Sequence, residues 1–278
     1  MRSLRIRAYA KINLGLRVTG RRPDGYHEID TIFQSIDLAD ELVLERRSDG
    51  QVMLTMEPDL GIPMEQNLVF QAVHLLQDPL QMELGVHIHL IKRIPVGAGL
   101  GGGSSDAAAA LGGVNTLFEL GLSKSKLKTL GAELGSDVPF FFEGGRCRAH
   151  GRGEILTTLS GSPAPSTITL LIAPFSLSTK GVYAALDQLE PSAELLTAPY
   201  PNDLEAVALR MHPELRIYRA YLERASVGFG LSGSGPTYYA LFEDEPSARL
   251  FSRSAEAELR CQTFLCKSVS MGYEILNP

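Results

Sequence analysis

A chain of 278 residues with a net charge of −6 can form one large domain or two modest ones around a substantial core. Its ordinary apolar and charged fractions exclude a disordered chain. Its acidity argues against general nucleic-acid binding, which needs clustered Lys and Arg. The sparse cysteines Cys147, Cys261 and Cys266 make neither a disulfide framework nor a zinc set, and fit a reducing compartment. No apolar run approaches the ~20 residues of a membrane span. The basic start, Met1 to Arg7, lacks the apolar stretch of a secretory signal. The expected location is the cytoplasm, or a plastid stroma where a transit peptide has been removed.

In chain order, Leu4, Ile6 and Ala8 alternate with Arg5, Arg7 and Tyr9 as in a half-buried strand. Leu42-Val43-Leu44 and Val52-Met53-Leu54-Thr55 read as strands around the turn Ser48-Asp49-Gly50. From Asn67 to Gln77 the apolar spacing is helical, with Asn67 as N-cap. Val86, Ile88 and Leu90 mark another strand. After a glycine-rich loop, an alanine-rich helix runs from Ser104 to about Phe118, with Ala107, Leu111, Val114 and Phe118 in one stripe. Ser123 opens a further helix.

In the second half, Ser160-Gly161-Ser162-Pro163-Ala164-Pro165 has linker composition. Thr167 to Ala173 and Thr237 to Phe242 read as strands. Asn202-Asp203-Leu204-Glu205 resembles a capping box. Strands and helices do not alternate regularly, so an α+β, two-lobed fold is expected. Its domains would be residues 1–155 and 156–278.

The strongest local feature is Pro95-Val96-Gly97-Ala98-Gly99-Leu100-Gly101-Gly102-Gly103-Ser104-Ser105. Glycines let backbone N–H groups converge on phosphate oxygens. The helix beginning there adds its positive end, and Ser104 and Ser105 add hydroxyls. Gly97, Gly99 and Gly102 also satisfy G-x-G-x-x-G, but regular βαβ units and an acidic residue at a following strand end are missing. No Lys-Ser or Lys-Thr completes a Walker motif. A plain tight turn or hinge is the remaining alternative.

A second constellation is Ala8-Tyr9-Ala10-Lys11-Ile12-Asn13-Leu14. Lys11 and Asn13, two apart, share one strand face. A lysine in an apolar strand needs a partner, and Asp137 in Gly135-Ser136-Asp137-Val138-Pro139 is the candidate. The alternative for Asp137 is a capping or turn role.

These motifs, with Leu231-Ser232-Gly233-Ser234-Gly235-Pro236-Thr237, resemble the GHMP kinase superfamily in content and order. Arg22-Pro23-Asp24-Gly25-Tyr26-His27-Glu28, Gly151-Arg152-Gly153-Glu154 and Asn202 to Glu205 narrow the resemblance to the kinases of 4-diphosphocytidyl-2-C-methyl-D-erythritol, which serve the non-mevalonate isoprenoid pathway. The likeness covers nearly the whole chain.

The resemblance implies ATP and a small-molecule substrate meeting between two lobes, with Mg²⁺. It implies catalysis by Asp137 and Lys11, and ATP held by 95–105 together with Asn67 and Lys92. It further implies substrate binding by Asn13, by His27 on the cytosine, and by Tyr26 and Tyr183 as stacking faces. The match around Tyr183 is the loosest. Asp106 and Glu154 are candidate Mg²⁺ ligands, and the metal set is otherwise unassigned, as is the oligomeric state. No nucleic-acid or membrane partner is expected. Other readings are a homoserine- or mevalonate-type kinase, or a non-catalytic metabolite sensor. The Tyr26-His27 doublet argues against the first, whose substrates have no base to stack. Lys11 with Asp137 argues against the second, which needs no base.

Among other polar residues, His87 and His89 read as a solvated strand face rather than a metal pair. Arg146, Arg148 and Arg152 read as a solvated strand, with contact to a substrate diphosphate as the alternative. Phe140-Phe141-Phe142 reads as core.

Overall fold

The computed structural model describes residues 3–80, 82–160, 167–188, 200–225 and 228–276. Apart from Ser160, the expected linker lies outside the described residues, as do Met1 and Arg2.

The alternation at Leu4, Ile6 and Ala8 begins β1 (Ser3–Arg21), which turns through 22–26 into β2 (His27–Arg46). The two strands run antiparallel from the Ser3–Glu45 pair to the Arg21–His27 pair. Over its first residues β1 buries every second side chain, and then burial is unbroken from Ala8 to Leu14. A strand buried on both faces must be covered on both, and here each lobe supplies one cover.

The first cover is helical. β3 (Val52–Glu57), β4 (Val86–Ile91), β5 (Arg146–His150), β6 (Ile155–Thr158) and β11 (Tyr273–Leu276) complete a seven-stranded sheet with the order β11-β1-β2-β4-β3, β5 joining β2 and β6 joining β5. α1 (Leu68–Leu80), α2 (Gly102–Leu117), α3 (Lys124–Leu134) and α4 (Val138–Glu143) share its core. α2 is buried without a break from Ser105 to Val114, wider than the single stripe expected. Its small alanines fit between Ile6 and Leu44 of the sheet and Val69 and Phe140 of the neighbouring helices. Each fully buried Leu, Ile or Phe of this core contributes about 1.5–3 kcal/mol. The expected caps are present: Asn67 Oδ1 accepts from Val69 N at 2.9 Å, and Ser123 Oγ accepts from Lys126 N at 3.2 Å.

The second lobe has a four-stranded antiparallel sheet of β7 (Thr167–Ile172), β8 (Gly228–Leu231), β9 (Thr237–Phe242) and β10 (Gln262–Cys266), in the order β10-β7-β9-β8. α5 (Thr179–Leu186), α6 (Glu205–Met211), α7 (Leu215–Ala225) and α8 (Glu245–Leu259) belong to this half. Ala10, Ile12 and Leu14 of β1 pack in one cluster with Leu100, Ile168, Leu170 and Tyr239. That cluster is the second cover of β1, and it joins the lobes. Among the named strands only β3 and β4 pair in parallel, so the α+β, two-lobed expectation holds.

Two expectations change. A boundary at 155/156 would cut at the first residue of β6, which pairs with β5, and β11 returns from the far end of the chain to pair with β1. The division into lobes is therefore not a single cut. The capping box at 202–205 does not form either. Glu205 is buried and accepts from Tyr238 Oη at 2.7 Å and from Arg219 at 2.8 Å, so its carboxylate does not reach back to the helix start. Asn202 keeps its half of the cap, Oδ1 accepting from Leu204 N at 2.9 Å, while its Nδ2 donates to the carbonyls of Leu231 and Gly233, at 2.9 and 2.7 Å.

Candidate active site

The two lobes enclose a cleft of about 1020 Å³. This is the upper end of small-molecule sites and is enough for a nucleotide and a second ligand. Its floor is the buried part of β1. Lys11, only 4 % exposed, donates to Asn13 Oδ1 at 2.6 Å and stands 3.5 Å from Asp137 Oδ2. Phe33 lies under the ammonium, 5.0 Å from its ring centre. Asn13 is held in turn, donating to Thr31 Oγ1 at 2.9 Å, which donates to Gly15 O. Strand geometry puts Lys11 and Asn13 on one face, as their spacing predicted.

Asp137 precedes α4, where Pro139 occupies an early position that needs no donor. The capping alternative fails, because the Asp137 side chain makes no cap hydrogen bond. Its carboxylate is instead turned to Lys11 and remains part of the cleft wall.

The glycine-rich loop closes over this pair. Lys11 N donates to Leu100 O at 2.9 Å, so the loop and β1 are tied at the residue that carries the ammonium. Gly101, with φ at +71°, ends the loop and starts α2 without a side-chain cap. A Cβ there would lie 2.9 Å from Phe141 Cζ and 3.1 Å from Lys11 Cγ. Gly99 is required for another reason: a Cβ would meet the carbonyl of Ser232. Ser232 Oγ donates to Gly99 O at 2.9 Å and also accepts from Asn13 N at 3.3 Å. The 231–236 loop is thus a brace between the phosphate-type loop and β1, anchored from behind by Asn202.

Most residues expected at ATP line the cleft: Asn67, Lys92, and 95–104 throughout. Ser105 does not. It is fully buried and turned inward, its hydroxyl donating to Gly272 O at 3.4 Å. Helical geometry explains the difference, since Ser104 and Ser105 point about 100° apart. Lys92 lines the cleft but already has partners of its own. Its ammonium sits between the buried carboxylates of Asp40 and Asp106, the latter at 2.7 Å. Asp40 also accepts from the backbone N–H groups of Arg93 and Ile94, at 2.5 and 2.8 Å. Burial pushes the Asp106 carboxyl up to about 8, against the pull of Lys92 and helped by the charge of Asp40. Lys92 is itself raised, the two carboxylates outweighing its burial. Together the three groups form a buried, hydrogen-bonded strut beneath the loop.

At the other end of the cleft are Tyr26, His27 and Tyr183. Tyr26 is 55 % exposed, on the turn between β1 and β2, with the Arg152 guanidinium 4.8 Å from its ring centre. Arg152, read as a surface residue, thus lines the cleft, whereas Arg148 pairs with Asp30 at 2.6 Å on the exposed strand. Tyr183 belongs to α5 and lines the cleft. It stacks on His27, centroids 4.9 Å apart and planes at 25°. Burial raises its phenol, and the negative charge of Asp137 adds to that. His27 Nε2 is 2.8 Å from Asp187 Oδ1.

Glu154 is removed as a metal candidate. It does not line the cleft, and its carboxylate accepts from Arg152 N at 2.6 Å within its own turn. Asp106 has Oδ2 on Lys92. His87 Nε2 and His89 Nδ1 both lie 3.0 Å from Thr55 Oγ1, and no group of three or more His, Cys, Asp or Glu suited to a metal exists among the described residues. Sequence reasoning missed Asp40, Thr31 and Asp187, and read Asn202 only as part of a helix start. Asp40 left a signal, an acid placed with Glu41 between apolar Leu38-Ala39 and Leu42-Val43-Leu44. Thr31 and Asp187 had none.

Comparison with known proteins accords with this site. The GHMP kinases N terminal domain family matches residues 67–145, and the GHMP kinases C terminal family matches 182–261. The 4-diphosphocytidyl-2-C-methyl-D-erythritol kinase of Shouchella clausii is 43 % identical, the match covering 86 % of each chain. The kinase of that name from Thermoanaerobacter pseudethanolicus is 37 % identical over 99 % of each. A crystal structure of 4-(cytidine 5'-diphospho)-2C-methyl-D-erythritol kinase superposes with a TM-score of 0.79 at 33 % identity, covering 95 % of this chain and 98 % of that one. Homoserine kinase from Cytophaga hutchinsonii superposes equally well, with a TM-score of 0.80, at 17 % identity over 99 % of this chain and 98 % of that one. Backbone similarity at that identity shows the shared fold alone, and sequence identity makes the finer distinction. The chain is a small-molecule kinase of the GHMP superfamily and belongs to its 4-diphosphocytidyl-2-C-methyl-D-erythritol kinase family.

Proposed function

We propose that this kinase transfers the γ-phosphoryl group of ATP to the 2-hydroxyl of 4-diphosphocytidyl-2-C-methyl-D-erythritol, in the non-mevalonate route to isoprenoid precursors. The observation that carries the reading is the Lys11–Asp137 contact of 3.5 Å on the floor of a cleft walled at one end by the glycine loop and at the other by Tyr26, His27 and Tyr183.

The proton and phosphoryl movements follow from that placement. Asp137 hydrogen-bonds the acceptor hydroxyl and takes its proton as the oxygen bonds to the γ-phosphorus. The bond from the γ-phosphorus to the β–γ bridging oxygen breaks and ADP leaves. In a loose transition state the hydroxyl needs orienting more than early deprotonation, so an aspartate suffices. Lys11, 3.5 Å from the Asp137 carboxylate, fixes its direction, and Asn13 fixes Lys11. The first-turn amides of α2 face the negative charge gathering on the transferred and bridging oxygens.

Mg²⁺ would neutralise phosphate charge. Without an acidic cluster among the described residues, its ligands would be chiefly phosphate oxygens and water, as is common for this ion. Ser104, at the start of α2 on the cleft wall, fits the single protein ligand.

Support for the substrate is chemical. A base-bearing alcohol can use the exposed Tyr26 ring and the His27 edge, which homoserine and mevalonate cannot. The test is ADP release with each of the three alcohols. Turnover confined to the cytidine-diphospho alcohol supports the reading, and preferred turnover of homoserine or mevalonate overturns it.

A further inference from the structure

We infer that Asp187 is a specificity-positioning residue, holding His27 so that its Nδ1 presents a lone pair to the base and selects a 4-amino pyrimidine over a 4-oxo one. The inference rests on the preceding reading of the substrate and adds how its base is chosen.

Asp187 follows the last turn of α5 and lines the cleft beside Tyr183. One carboxylate oxygen is 2.8 Å from His27 Nε2, and the other is 3.6 Å from the Arg21 guanidinium. His27 begins β2, so this contact spans the two halves of the chain. A carboxylate can only accept a hydrogen bond, so the proton must be on Nε2. In the neutral ring Nδ1 is then an acceptor. Ring rotation is checked by the Tyr183 stack, and the His27 side chain is only 9 % exposed. The ring is therefore fixed in plane by Tyr183 and in tautomer by Asp187.

An acceptor aimed at the base distinguishes cytosine from uracil by sign. The 4-amino group of cytosine donates to it, whereas the 4-oxo group of uracil sets lone pair against lone pair. A site built for a hydrogen bond rejects the analogue that leaves it unmade more strongly than an apolar pocket rejects a change of size. Loss of Asp187 frees the ring to rotate or to take the other tautomer, in which Nδ1 donates and uracil is accepted.

The experiment compares kcat/KM for the cytidine and uridine forms of the diphospho-methylerythritol substrate in the parent, Asp187→Ala, His27→Ala and the double variant. ¹⁵N NMR of the histidine ring runs alongside on the parent and Asp187→Ala. Expected are a parent preference for cytidine, a loss of about tenfold in that preference on Asp187→Ala, corresponding to about 1.4 kcal/mol, and no further loss when Asp187→Ala is added to His27→Ala. The parent spectrum should show His27 protonated at Nε2 alone, and Asp187→Ala should show a tautomer mixture. A purely structural role for Asp187 would move neither the tautomer nor the base preference. Asp187→Ala with full cytidine preference, additive losses, or a parent ring protonated at Nδ1 would overturn the role of Asp187 alone. A parent indifferent to the base would overturn the substrate reading as well.

Discussion

Lys11 and Asp137 face each other at 3.5 Å although they come from different motifs, one in the middle of β1 and one at the start of α4. The lysine is buried and the aspartate is 30 % exposed in its side chain, so the ammonium is fixed by the core and the carboxylate is the partner open to the cleft. Asp137→Asn should lower kcat by about 10²-fold or more, the usual cost of removing a base. ATP affinity should stay near the parent value. Steady-state kinetics with calorimetry for ATP separates the two quantities, and near-parental turnover in the variant removes Asp137 from the chemistry.

Gly101→Val places a branched side chain at φ +71°, against Phe141 and the stem of Lys11. Such a φ is a genuine outlier for a β-branched residue. Gly102→Val brings a Cβ to 3.0 Å from Ile94 Cγ2. Both should bind ATP poorly while folding, and Gly101→Val should also lose turnover because Lys11 is displaced. Unchanged calorimetric ATP affinity in both variants means the loop holds something else.

Tyr26 is 55 % exposed and fills no core, so Tyr26→Ala should leave the melting temperature almost unchanged. Stacking on a base contributes about 1–3 kcal/mol, which corresponds to a roughly 5- to 150-fold weaker Kd for the cytidine substrate. Tyr26→Phe should be mild, since the ring and its contact with Arg152 remain. A Tyr26→Ala variant that binds the cytidine substrate as tightly as the parent defeats the stacking role.

Asp40 is fully buried and holds Lys92 together with two backbone N–H groups at the entrance to the loop. Removing it leaves a buried ammonium with one carboxylate and two unpaired amides. Breaking a buried pair in this way costs about 3–5 kcal/mol. Asp40→Ala should show that loss in denaturant unfolding, with a raised KM for ATP and little change in KM for the alcohol. Equal rises in both KM values would mean general loosening rather than support of the loop.

Much of this arrangement was legible in the sequence because it depends on local rules. Strand alternation put Lys11 and Asn13 on one face, and the apolar strand around Lys11 required a partner for the lysine. Glycines beside Ser104 announced a tight loop at a helix start, and that loop lines the cleft. What escaped depends on contacts between distant segments. Ser105 turns inward because its helix is buried on that side. Lys92 faces two acids, one of which stands far earlier in the chain. The 202–205 segment has capping-box residues, but its side chains go to the 231–236 loop, Tyr238 and Arg219. The His27–Asp187 contact joins the two halves and left no local trace.

The most direct measurement of the central claim is a phosphoryl-transfer assay with ATP and 4-diphosphocytidyl-2-C-methyl-D-erythritol, with mevalonate and homoserine as alternative acceptors. ADP release should be paired with ³¹P NMR of the product. The account predicts stoichiometric ADP and a new phosphomonoester on the 2-hydroxyl for the cytidine substrate, and background rates for the other two. A phosphomonoester on homoserine or mevalonate at the higher kcat/KM, or ATP bound with none of the three alcohols phosphorylated, would contradict it.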